Sequence, residues 1–218
     1  MREPEHGVMP GTPQPPTSGR KARTMPPPTM HLLPRLVSHV LAPTVLVTAL
    51  LALAPLRFPE VPWGQALLAT TFTTLIPWAA LVSARIRGKV SDVHVTRREQ
   101  RWPLLLVALA SILVGLVLML VTRTEPAMIR EVLLVLAGLL STGAITLVWK
   151  ISIHVAVAAF VFLHAFAEQP YGPYLAVAMV AVTSWARVQL SHHTSSQVFA
   201  GAVIGALVGT LGLLPVLR

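Results

Sequence analysis

The sequence contains no cysteine, and few of its residues are charged. Without cysteine, disulfide bonds and thiolate metal sites are excluded. Only 11% of the 218 residues are charged, whereas soluble globular domains average about 25%. Hydrophobic residues make up 54% of the chain. This composition excludes an ordinary soluble domain and predicts an integral membrane protein.

Acidic residues are scarcer than basic ones. Eight Asp and Glu residues stand against seventeen Lys and Arg residues, which gives a formal net charge of +9. In a membrane protein such an excess reports on topology and on contact with anionic headgroups, not on nucleic acid. The sequence also offers no carboxylate cluster of the kind that holds magnesium or calcium. We therefore expect no metal, no cofactor and no nucleic-acid partner.

The first 33 residues differ from the rest of the chain. They are rich in proline and include the stretch "PQPPTSGRKARTMPPPT". Such a segment cannot bury enough apolar surface to offset the entropy of ordering it. Residues 1–33 are therefore predicted to be a disordered basic tail, and residues 34–218 to form a single transmembrane domain.

The remaining sequence contains apolar runs long enough to cross a hydrocarbon core about 30 Å thick. The runs lie at 35–55, 64–84, 103–122, 131–148, 151–167, 173–189 and 197–216. Because lipid offers backbone polar groups no partner, continuous runs of this length are expected to be helices. The predicted fold is an all-α polytopic bundle of six to seven spans. Gly201, Gly205 and Gly209 in the last run predict close helix packing.

Seven spans place the tail, the loop 85–102, Lys150 and the loop 186–196 on one side of the membrane. Thirteen of the seventeen basic residues lie on that side. The four on the other side are Arg57, Arg123, Arg130 and Arg218. Since basic residues concentrate in cytoplasmic loops, the first side is predicted to be cytoplasmic.

Ionisable residues from three parts of the chain meet on this basic side. They are Asp92, Arg97 and Arg101 in the long loop, Lys150 and His154, and Arg187, His192 and His193. An excess of cations at membrane depth indicates an anion pocket, and phosphate is the anion it suits best. Two histidines beside such a pocket indicate phosphoryl transfer, because one can attack phosphorus and the other can protonate the leaving oxygen.

These residues resemble the motifs of the type 2 phosphatidic acid phosphatases, which are integral-membrane lipid phosphatases. The family carries K-x6-R-P, P-S-G-H and S-R-x5-H-x3-D in that order. The third motif is similar to "ARVQLSHHTSSQ", where Arg187 and His193 reproduce R-x5-H. The second is similar to "ISIH", which ends at His154. The first is blurred within "KVSDVHVTRREQRWP", where Arg97 or Arg101 takes the arginine position.

The resemblance implies a chloroperoxidase-like helical core and a metal-independent mechanism through a phosphohistidine. His193 would be the nucleophile and His154 the proton donor to the leaving group. The phosphate would be held by Arg187, Lys150, Arg97 and Arg101. The implied substrate is a phospholipid or polyprenyl phosphate, and the implied activity is that of a lipid-phosphate or isoprenyl-diphosphate phosphatase.

The sequence departs from the family pattern at one chemically important position. Gln197 stands where the family has the aspartate that orients the nucleophilic histidine. An amide oxygen can still accept the Nδ1 proton, but it supplies no charge. Asp92 is a candidate substitute carboxylate. A second hypothesis is therefore a catalytically weak pseudo-phosphatase that binds or moves anionic lipids, and a third is a haem held by His154 and His193.

Overall fold

A computed structural model describes residues 32–88 and 101–214, and every regular element within these ranges is helical. The helices are α1 (Leu32–Val40), α2 (Pro43–Ala52), α3 (Ala54–Arg57), α4 (Trp63–Thr70), α5 (Ile76–Ile86), α6 (Arg101–Val121), α7 (Pro126–Val148), α8 (Ile153–Ala165), α9 (Gly172–Gln189) and α10 (Ser195–Leu211). A π-helical turn, Thr71–Leu75, joins α4 to α5. The prediction of an all-helical fold is confirmed for these residues. Almost all of the predicted tail lies outside them.

Four helical stretches are long and apolar enough to cross a membrane. They are Leu32–Ala52, Trp63–Ile86, Trp102–Val121 and Pro126–Val148, which match the first four predicted spans. The apolar helix α8 has only 13 residues, so it is about 20 Å long against a hydrocarbon core of about 30 Å. The structure thus supports four candidate spans, and the count of six to seven stays a prediction.

Proline explains two departures from continuous α-helix. The predicted span 35–55 is divided into α1 and α2, because Pro43 at the start of α2 has no N–H to donate to the preceding turn. The predicted span 64–84 widens into the π-helical turn just before Pro77, whose ring would clash with the Thr73 carbonyl in a regular helix. Ser111 of α6 donates a hydrogen bond of 2.5 Å to the Phe72 carbonyl in this turn.

Helices α8 and α10 pack closely against each other, and glycine makes this possible. A Cβ on Gly201 would lie 2.5 Å from the Ser152 carbonyl oxygen, and one on Gly205 would overlap the Ala156 carbonyl oxygen. The two backbones therefore touch without side chains between them, as the glycine spacing predicted. This contact fixes the start of α10 against the start of α8.

A buried carboxylate joins three helices at the other end of α8. Glu131 of α7 is completely buried. One of its oxygens accepts a 2.7 Å hydrogen bond from Arg57 at the end of α3, and the other lies 2.8 Å from His164 Nε2. His164 follows His154 by ten residues, which is about 15 Å along the helix. His164 thus belongs to a separate cluster from His154.

Candidate functional site

The turn after α9 holds the two adjacent histidines in a defined conformation. The His192 N–H donates to the Arg187 carbonyl at 3.1 Å, and the Ser191 N–H donates to the Val188 carbonyl at 2.9 Å. This pair of bonds is a Schellman motif, in which the residue after the C-cap adopts the left-handed conformation. That residue is Ser191, with φ of 54°. The turn therefore reverses the chain directly before His193.

The first turn of α10 begins with a capping box. Thr194 is the N-cap, and its hydroxyl accepts from the Gln197 N–H at 3.4 Å. In return the Gln197 side-chain oxygen accepts from the Thr194 N–H at 3.2 Å. The spacing T-x-x-Q is typical of this motif. Gln197 therefore has a structural role in the capping box. The resemblance to the phosphatase motifs did not reveal this role, although the T-x-x-Q spacing was present in the sequence.

The same Gln197 oxygen also contacts the ring of His193. Its distance to His193 Nδ1 is 3.2 Å. Because the Thr194 backbone N–H donates to this atom, it must be the amide oxygen, which only accepts. His193 Nδ1 then carries the proton, and the lone pair of the neutral ring lies on Nε2. The sequence anticipated this contact, and the geometry favours Nε2 as the reactive atom.

Two of the predicted phosphate-binding cations lie near His193. Lys150 Nζ donates a 2.8 Å hydrogen bond to the His192 carbonyl and so secures the loop before the nucleophile candidate. Arg187 is only 3% exposed, and its Nη1 donates to the Ser38 hydroxyl of α1 at 2.7 Å. Arg187 Nε is buried with no hydrogen-bond partner among the described residues. A buried guanidinium with an unsatisfied donor is well suited to an anionic ligand.

Burial and positive neighbours keep the His193 ring neutral. Desolvation, together with the charges of Arg187 and Lys150, lowers the pKa of His193 from its ordinary value of 6.5 to about 4. The hydrogen bond with Gln197 acts the other way, and His192 adds a small lowering effect. His193 is therefore in the nucleophilic form at neutral pH.

The second candidate histidine lies at the same end of the bundle. His154 occupies the first turn of α8 and is partly buried. The start of this helix is tied to α10 by a 3.1 Å hydrogen bond from the Ser152 N–H to the Gln197 carbonyl. Ser152 is fully buried, and its hydroxyl has no hydrogen-bond partner among the described residues. Both predicted histidines thus stand on helix starts that contact each other.

The structure does not describe every predicted site residue. Arg97 and Asp92 lie outside the described residues, so their predicted roles in phosphate binding and proton relay stay predictions. Arg101 begins α6, but its side chain is also outside what the structure describes. The described part of the candidate site therefore consists of Arg187, His193 and Gln197, with Lys150 and His154.

A polar cleft beside this site was missed in the sequence. It has a volume of about 400 Å³ and lies between α1 and the turn after α9. Its lining residues are Arg35, Ser38, His39, Gln189, Leu190, Ser191 and His192. One feature of the sequence could have indicated this cleft. Arg35, Ser38 and His39 have the spacing i, i+3 and i+4, which places all three on one face of a short helix.

An apolar cavity of about 210 Å³ lies inside the bundle, between α2, the π-helical turn, α6, α7, α8 and α10. Its lining includes Ile153, Val157, Leu139 and Val208. Ile153 directly precedes His154, so the cavity reaches the end of the bundle that carries the candidate site. Hydrophobic cavities with a few polar groups at one end are typical of ligand sites.

Within residues 32–88 and 101–214, no group of three His, Asp or Glu side chains is placed to hold a metal ion. The described cluster instead presents cations, a neutral imidazole and hydrogen-bond donors, which together can bind an anion and attack it. Comparisons of the chain with protein-family models, with curated proteins and with solved structures find no match.

Proposed function

We propose that the protein is a multi-pass membrane hydrolase that removes phosphate from a lipid phosphate or an isoprenyl diphosphate. The observation that carries the proposal is the 3.2 Å contact between His193 Nδ1 and the Gln197 amide oxygen. It leaves the Nε2 lone pair available on a ring whose loop is secured by Lys150 and preceded by the buried Arg187. The motif resemblance to the type 2 phosphatidic acid phosphatases supports the same assignment.

In the proposed reaction, His193 Nε2 attacks phosphorus and the bond from phosphorus to the leaving oxygen breaks. His154 gives a proton to that oxygen, and a phosphohistidine forms. Water then attacks phosphorus, His154 takes a proton from it, and the N–P bond breaks to release phosphate and neutral His193. Arg187 and Lys150 stabilise the charge on the non-bridging oxygens. The apolar cavity offers room for part of the lipid chain.

The site faces the cytoplasm in this proposal, because the basic residues concentrate at its end of the bundle. A substrate with its phosphate at headgroup level and its chain in the bilayer suits that position. No residue assigned to the reaction requires a metal or an organic cofactor.

The direct experiment is release of phosphate from phosphatidic acid and from prenyl phosphates by the purified full-length protein. We expect His193→Ala to reduce turnover by at least about 10³-fold, because removing a nucleophile leaves only binding and electrostatic stabilisation. His192→Ala is the matched control, since the hydrogen bond from Lys150 goes to the backbone carbonyl at this position, which alanine keeps, and it should retain most activity. Equal turnover in the wild type and His193→Ala would refute the assignment.

One observation favours a second candidate function, a lipid-phosphate binder with little or no turnover. Attack by His193 creates positive charge on its ring, yet Gln197 provides no opposite charge and two cations lie nearby. In this case the purified protein binds vesicles that contain phosphatidic acid and releases no phosphate. Arg187→Gln would then weaken vesicle binding, whereas His193→Ala would not.

A further inference from the structure

The polar cleft beside the candidate site carries positive charge from a helix that the motifs do not include. Arg35 of α1 lines it together with Ser38 and His39. Arg35 is exposed, and it makes no hydrogen bond or ion pair with any other described residue. The guanidinium therefore faces solvent at the cleft with its donors available to a ligand.

The cleft and the candidate site share a wall. The Ser38 hydroxyl, which lines the cleft, accepts the 2.7 Å hydrogen bond from Arg187. The turn from Gln189 to His192 forms the other side of the cleft and leads directly into His193. An anion held by Arg187 at the candidate site would thus be adjacent to an anion held by Arg35 in the cleft.

No acid among the described residues balances these cations. The four described carboxylates are Glu60, Glu125, Glu131 and Glu168, and none of them lines the cleft. They lie instead in loops or helix ends on the far side of the bundle, or in the buried cluster with Arg57.

We propose that this cleft is a second anion subsite, which binds the phosphate that is not attacked. Arg35 and Ser38 would donate to the lipid-proximal phosphate of a lipid diphosphate, while Arg187 and Lys150 hold the terminal phosphate that His193 attacks, and the lipid monophosphate leaves when the bridging P–O bond breaks. This inference rests on the proposed function and deepens it, because it selects a diphosphate over a monophosphate as the substrate class. A guanidinium is suited to this task because its planar donors match phosphate oxygens.

The test compares farnesyl diphosphate with farnesyl monophosphate, which share one chain and differ by one phosphate. We expect the wild type to prefer the diphosphate in kcat/KM. Arg35→Gln should lower the ratio of the two kcat/KM values by about tenfold or more, the effect of losing one hydrogen bond to a charged group. Arg87→Gln is the matched control, because Arg87 is an exposed arginine at the end of α5 and does not line the cleft.

Binding measurements separate this inference from the proposed hydrolysis. Calorimetry with the non-hydrolysable farnesyl methylenediphosphonate and farnesyl phosphonate requires no turnover. A preference for the diphosphonate that is lost in Arg35→Gln supports the subsite, even if no phosphate release is found and the hydrolase proposal fails. Equal affinity for the two analogues, or a preference that survives Arg35→Gln, would overturn the subsite. Methylenediphosphonate without a chain should compete weakly, and competition as strong as that of the farnesyl analogue would show a site for free diphosphate instead.

Discussion

Two hydrogen bonds to one amide oxygen fix the tautomer of the His193 ring. The Gln197 oxygen accepts from the Thr194 N–H and from His193 Nδ1. An aspartate at this position would add a negative charge and favour the protonated ring, whereas glutamine fixes the tautomer without charge. Orientation and charge are thus separable at this position, and each can be tested.

The first prediction concerns the protonation of His193. Its folded-state pKa of about 4 lies below the ordinary 6.5, so the ring stays neutral as the pH falls from 7 to about 5 and takes up its proton only near pH 4. Titration of the histidine ring protons by NMR measures this directly, with His193→Ala used to assign the signal. A midpoint near 6.5 would show that the ring is solvated, contrary to the described burial.

The second prediction concerns the missing charge. Gln197→Glu keeps the side-chain length, so both the capping box and the 3.2 Å contact with His193 can persist. The new carboxylate should raise the pKa of His193 and stabilise the positive ring that forms during attack. We expect kcat to rise by at least about tenfold, within the roughly 10⁴-fold effect of the orienting aspartate in a serine protease triad.

The control for this charge effect is Gln197→Ala, which removes the ring contact and the side-chain half of the capping box but keeps Thr194 as the N-cap. It should lower stability by about 1 kcal/mol, the usual net contribution of one hydrogen bond, and reduce turnover as well. If Gln197→Glu raised the His193 pKa and left kcat unchanged, the charge would not limit the reaction.

At the scale of elements, the contact between α8 and α10 positions both histidines. Gly205→Ala should destabilise the fold by about 1–3 kcal/mol, the typical cost of overpacking, because its Cβ would overlap the Ala156 carbonyl oxygen. Gly64→Ala is the matched control. Its Cβ would meet nothing within 4 Å in α4, so it should be neutral or slightly stabilising. Thermal unfolding in detergent measures both, and equal midpoints would contradict the close backbone contact.

The buried cluster around Glu131 gives a separate prediction about stability. Glu131→Gln removes the charge shared by Arg57 and His164 and leaves the guanidinium poorly compensated. Breaking a buried pair in this way typically costs about 3–5 kcal/mol. Glu60→Gln changes an exposed carboxylate and should remain within about 0.5 kcal/mol of the wild type. Equal unfolding midpoints for the two variants would show that this cluster does not hold α3, α7 and α8 together.

At the scale of the whole molecule, the hydrophobic runs predicted the helices well. An apolar run long enough to cross a bilayer must satisfy its own backbone polar groups, and a helix is the simplest structure that does so. The division of the first span at Pro43 and the π-helical turn before Pro77 were not foreseen, since the consequence of a proline depends on which neighbours accommodate it. The proximity of Arg187 to His193 could be anticipated from the R-x5-H spacing in the sequence. The contact from Ser38 to Arg187 could not, because it joins residues 149 positions apart.

The last prediction concerns orientation, which the chain's lack of cysteine makes convenient to test. Ser195 is exposed at the start of α10, and Gln169 is exposed between α8 and α9. The basic residues predict a cytoplasmic position for Ser195. If α9 crosses the bilayer, a membrane-impermeant maleimide should label Gln169→Cys in intact cells and Ser195→Cys only after permeabilisation. The reverse pattern would overturn the orientation, and labelling of both from one side would mean that α9 does not span.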